Sequence, residues 1–182
     1  MIRSLSDIVA RRRGVLQWFA VSKTQFVSYS NNGFWAYDVA IGIFLKHLVD
    51  AAEASDQAEL PWLSNAISWW RTVACISDYG LTLGEGWSEA EQETFIALAE
   101  DSCQRLANRA VIPAEEIVAW PLLDDLRIFP RGATQVATGP IVELGRAVIA
   151  LVAGTLPEPP TGTAWLYGTD GGRRTLGMKL SK

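Results

Sequence analysis

The sequence predicts a mainly α protein, a single-domain helical bundle of about five to seven helices with a small C-terminal β-hairpin. Three observations lead there. Apolar residues recur at helical spacing over four long stretches, 34–54, 61–78, 88–110 and 139–153. Capping residues or prolines open the last three, and glycine follows the last. Only the tail, Trp165 to Leu180, has the composition of a hairpin, turning at Thr169-Asp-Gly-Gly172.

The elements follow in order. Ser4 or Ser6 caps a short helix that runs to about Arg13, with Gly14 at its end. Val15 to Ser30 is rich in β-branched and aromatic residues, so part of it is expected to be extended. Ser30-Asn31-Asn32-Gly33 reads as a turn. From Phe34 to about Ala54, Tyr37, Ile41, Phe44, Leu45, Leu48 and Ala52 share one helical face, and Lys46, Asp50 and Glu53 lie off it. A polar connection, 55–60, precedes Pro61, which suits the first turn of a helix to about Asp78. Trp62, Ala66, Trp69, Val73 and Ile76 form one stripe of that helix; Leu63, Ile67, Trp70 and Ala74 form the next. Two merged stripes predict the central helix of the bundle.

Gly80 to Trp87 reads as a flexible connector. Ser88 and Glu91 make a capping box that opens a long helix to about Ala110. Its buried face is Phe95, Leu98, Ala99, Ser102 and Leu106, with Ile96 and Cys103 at the edge. Pro113 starts a short helix that Pro121 stops or kinks, Leu122 to Phe129 continues for a turn or two, and 130–138 is loop. Thr138 or Gly139, followed by Pro140, opens a last helix that buries Ile141, Leu144, Val148, Leu151 and Val152, with Gly154 past its end. Leu156 to Pro160 is a stiff connector. Residues 1–160 thus form the helical domain, and 161–182 a hairpin tail packed on it.

Composition narrows the function classes. The chain has 182 residues, 49% apolar and 20% charged, which fits a folded domain rather than a disordered one. No apolar run approaches the roughly 18–20 residues a membrane helix needs. The N-terminus lacks the pattern of an export signal. A cytoplasmic protein with two reduced thiols, Cys75 and Cys103, is expected, with no membrane partner.

Candidate chemistry is sparse. His47 with Asp50 three residues on is a partial acid–base pair, but no nucleophile stands at an informative spacing. One histidine and two scattered cysteines do not make a metal site, and no cofactor motif is present. Cys75, on the polar strip beside Arg71, could have a cation-lowered pKa; a boundary cysteine is the commoner case. The glycines at 80, 84 and 86 lack the spacing and the lysine of a phosphate loop. The basic clusters, Arg11-Arg12-Arg13 and Arg173-Arg174, are too small in an acidic chain to favour nucleic acid.

Charge is the more informative pattern. Net charge is −4, with five bases and one acid in 1–24, two bases and six acids in 25–84, two bases and ten acids in 85–126, and seven bases and three acids in 127–182. Two readings of the acidic middle stand: a solvated face, or a docking surface for a cationic protein. Eight tryptophans add to the second. Trp62, Trp69 and Trp70 are assigned to the core and Trp35 to a helix start, which leaves Trp87 and Trp120 as outward anchors.

The sequence therefore predicts a non-enzymatic protein-binding module with a basic partner. Its concrete form is a bacterial immunity or antitoxin-like protein that covers a basic toxin. The predicted contact residues are Glu85, Trp87, Glu89, Glu93, Glu100, Glu115, Glu116, Trp120, Asp124 and Asp125. The alternatives are a small-molecule binder with an apolar pocket lined by Trp62, Trp69 and Trp70, and an enzyme that uses His47 and Asp50 or Cys75.

Overall fold

A computed structural model describes residues 24–177 and corrects the expected class. The protein is mixed α/β, 45% helix and 20% strand, which is too much strand for a helical bundle. The expected helix at 4–13, the extended stretch before residue 24, Trp18 and the last residues of the tail lie outside the described residues.

The departure begins at residue 24. Strand β1 (Thr24–Tyr29) and strand β2 (Asn32–Tyr37) form an antiparallel hairpin that turns at Ser30 and Asn31. Along β2, Phe34 and Ala36 are buried while Trp35 and Tyr37 are half-buried on the opposite face. That is the two-residue period of a strand. Helix α1 (Asp38–Glu53) consequently starts at Asp38, not at Phe34. A short aromatic run is compatible with either period. Its sheet partners decide the matter, and they are distant in sequence.

Those partners come from two later segments. Strand β3 (Leu81–Thr82) pairs parallel to β1, so the expected glycine-rich connector carries a sheet edge. Strand β6 (Thr163–Tyr167) pairs parallel to β2, with Trp35 opposite Leu166, and β7 (Arg174–Gly177) returns antiparallel to β6. The order is β3-β1-β2-β6-β7. The tail hairpin is present, but it completes this sheet rather than decorating a bundle. A second sheet joins β4 (Val111–Pro113) to β5 (Gln135–Ala137), and β5 lies inside the stretch 130–138 expected to be loop.

The helices of the described residues lie within stretches the periodicity marked, with shifted roles. Leu122 to Phe129, expected to continue as a helical turn or two, instead forms a tight turn and irregular chain. After α1 come α2 (Pro61–Cys75), α3 (Glu89–Ala107), α4 (Ala114–Ala119) and α5 (Gly139–Val152). Pro61 and Pro140 stand in first turns, and Ser88 with Glu91 closes both halves of a capping box. The central helix is α1, which packs against α2, α3 and α5. The expectation that α2 is central is corrected: Leu63, Ile67, Trp70, Val73 and Ala74 are buried, while Trp69 on the neighbouring stripe is 36% exposed. Gly42 allows α1 to approach α2 closely, since a Cβ there would lie 2.8 Å from the Ala74 carbonyl oxygen.

Helix α5 lies against β1, β2 and β6. The inner face of the sheet gives the core Val27, Phe34, Ala36 and Tyr167, with the rings of Phe34 and Tyr167 edge-on at 4.8 Å. No helix among the described residues is long and apolar enough to cross a membrane.

Candidate functional site

The ten predicted contact residues do not form one surface. Helix α3 has 19 residues. At 1.5 Å per residue that is about 28 Å, so acids at its two ends belong to separate neighbourhoods. Glu116 chelates Arg109, just past the C-terminal end, with both carboxylate oxygens at 2.5 and 2.7 Å. This guanidinium holds the Glu116 carboxyl below its ordinary range. Glu100 shares a shallow groove with Arg146 of α5. Asp124 and Asp125 are exposed on a tight turn where Arg127 caps the Asp124 and Leu126 carbonyls. Glu115 is exposed on α4.

The remaining three, Glu85, Glu89 and Glu93, are exposed around the start of α3. Two contacts bring other acids to them. The Thr94 hydroxyl donates to Gln57 Oε1 at 3.2 Å, which docks the connection 54–60 onto α3. The rings of Trp62 and Trp87 meet edge-on at 5.7 Å, which holds the start of α2 beside the loop before α3. Asp56 and Glu59, both exposed, thereby join the cluster. Sequence reading missed these two because they belong to a different segment of charge. Only the fold makes the connection 54–60 a neighbour of Thr94.

The cations nearest this group in sequence are already engaged. From His47 to Gln104 the chain contains one lysine or arginine, Arg71, and it pairs with Glu53. Lys46 pairs with Asp50, and Arg105 with Asp101 at 2.6 Å. Among the described residues, no ion pair involves Asp56, Glu59, Glu85, Glu89 or Glu93.

Neither proposed anchor tryptophan stands free. Trp87 is half-buried among Tyr29, Trp62 and Phe95, its ring 4.9 Å from that of Phe95. Gly84 makes room for it, since a Cβ at that position would lie 1.9 Å from the indole. Trp120 stands edge-on to His47 at 5.8 Å and carries Lys46 over its face at 5.3 Å, so it fastens the end of α4 to α1. Trp69 and Tyr79 are exposed and packed on each other at 5.8 Å, and Phe26 and Phe129 are exposed as well. Trp62, Trp69 and Trp70 therefore have three different surroundings: the Trp87 cluster, the surface beside Tyr79, and the core.

The enzymatic candidates sit in environments that quiet them. Burial, then the charge of Lys46, lowers the His47 pKa, so the imidazole is held neutral. Its Nε2 is buried without a hydrogen-bond partner. Asp50, the expected orienting group, is bonded to Lys46 instead. Burial raises the Cys75 thiol, partly opposed by the charge of Arg127. Cys103, buried, is pushed up to about 11. Both cysteines are free thiols. No group of three or more His, Cys, Asp or Glu that could hold a metal ion occurs among the described residues.

Comparison with protein-family models, curated proteins and solved structures finds no match to this chain.

Proposed function

We propose that this protein binds a basic protein partner through the acidic patch of Asp56, Glu59, Glu85, Glu89 and Glu93. The observation that carries the reading is the assembly of the patch. Two tertiary contacts bring the connection that carries Asp56 and Glu59 beside the segment that carries Glu85, Glu89 and Glu93, and the cations nearest in sequence serve other acids. Such a surface steers a cationic partner and sets register. Leu60, exposed between Glu59 and α2, adds an apolar contact. Its concrete form is an immunity-type protein that masks a basic toxin.

Affinity capture from a source lysate at low salt tests this. The wild-type chain should retain one stoichiometric protein partner, released as salt screens the contact. The triple reversal Glu59→Lys, Glu89→Lys, Glu93→Lys should abolish capture, while Glu115→Lys with Asp125→Lys should not. Recovery of no stoichiometric protein, or of one indifferent to the triple reversal, would overturn the proposal.

A further inference from the structure

A cleft of about 460 Å³ opens between the start of α1, the loop 130–137, the start of α5 and the β6–β7 turn. Small-molecule sites occupy about 300–1,000 Å³. The walls come from three stretches far apart in sequence, 37–40, 130–141 and 168–174, and they are tied together. Asp38 and Arg131, both lining residues, form an ion pair across 93 residues, and both side chains are largely buried. The Val39 N–H donates to the other Asp38 oxygen at 2.8 Å. Arg131 has a left-handed φ of 52°, a conformation that persists where the surroundings over-determine it. On the opposite wall the buried Thr169 hydroxyl donates to the Gly172 carbonyl and closes the β6–β7 turn.

Two further lining residues are exposed and oppositely charged, Asp170 and Arg174. Arg174 donates to the main-chain carbonyl of Asp170 at 2.7 Å, not to its carboxylate. Neither side chain enters an ion pair among the described residues. A cation and an anion are thus adjacent on the cleft, and neither charge is neutralised by an ion pair among the described residues. The complementary ligand carries both charges close together. A carboxylate fits the guanidinium fork, and an ammonium fits the aspartate. Val136, Pro140 and Ile141 supply apolar wall beside them.

We propose that this cleft binds a free α-amino acid with an apolar side chain. Arg174 takes the ligand carboxylate, Asp170 takes its ammonium, and the Asp38–Arg131 pair keeps the wall rigid. The site is distinct from the acidic patch and does not depend on it.

Thermal unfolding of the full chain with about 10 mM ligand is the test, since a ligand of the native state raises the Tm by mass action. The probes are leucine, isoleucine, valine, methionine and phenylalanine, then the N-acetyl and amide derivatives of the best, then inorganic phosphate. At least one free amino acid should raise the Tm, and neither derivative should. Arg174→Gln and Asp170→Asn, at exposed positions, should unfold like wild type without ligand. Each should weaken binding about tenfold or more, the scale of one charge-assisted hydrogen bond. No shift from any of the five amino acids would overturn the proposal. So would an undiminished shift in either variant, or an equal shift from phosphate or the N-acetyl derivative, which would mark a simple anion site.

Discussion

Gly84→Ala should destabilise the protein through one neighbour, the Trp87 indole. The added methyl would lie 1.9 Å from Cε2 and Nε1 of that ring, so the ring must move. It has little space, with Tyr29, Trp62 and Phe95 at 6.0, 5.7 and 4.9 Å. Overpacking costs about 1–3 kcal/mol, and loss of a buried tryptophan about 3–5 kcal/mol. Trp87 is only half-buried, which places the expected cost at about 2–3 kcal/mol. For a chain of this size that lowers the Tm by about 4–12 °C. Urea unfolding followed by tryptophan fluorescence and circular dichroism measures it. The double-mutant cycle isolates the cause. In a Trp87→Ala background the methyl meets no indole, and Gly84 does not have the left-handed φ that alanine resists. There the substitution should be neutral or stabilise by up to about 1 kcal/mol, because alanine narrows the unfolded ensemble. A Gly84→Ala cost within about 0.5 kcal/mol of zero, or an equal cost in both backgrounds, would refute the packing argument.

Acid should weaken the fold through His47. Burial holds its pKa below the ordinary 6.5, so the unfolded chain takes up a proton that the native imidazole refuses. The contribution is full above pH 6.5 and is lost as pH falls below it toward the folded pKa. A His47→Gln variant should show a flatter pH dependence there, and identical curves would count against the reading. Cys103, with its thiol pushed up to about 11, should react slowly with a disulfide reagent at neutral pH and quickly in denaturant. Fast reaction of Cys103 in the native protein would contradict its burial.

Local signals were legible where one segment could satisfy itself. The capping box at Ser88 and Glu91, and the prolines at 61 and 140, act within a single turn. The α3 and α5 stripes needed only a 3.6-residue period. Residues 34–37 failed that test because four residues cannot separate a helical period from a strand's. β3 failed because two residues between glycines carry no pattern at all. The site divided in the same way. Exposure of Glu89 and Glu93 followed from their positions beside the α3 stripe. Their distance from Glu116 followed from the length of α3, while the engagement of Glu116 by Arg109 depended on the fold.

By itself, then, the sequence determined the helices, their caps, the tail hairpin and the acidic bias of the middle of the chain. These are short-range matters of period, turn chemistry and composition. The tertiary structure decided that the hairpin at residues 24–37 joins the tail in one mixed sheet, that α1 rather than α2 is central, and that Trp87 and Trp120 pack inward. It also decided which carboxylates enter ion pairs among the described residues, and that Asp38 meets Arg131 across 93 residues. Each of those outcomes rests on a hydrogen bond, a ring contact or an ion pair between segments far apart in the chain. No local pattern encodes such a partner, because loop closure costs only slightly more as the intervening chain lengthens.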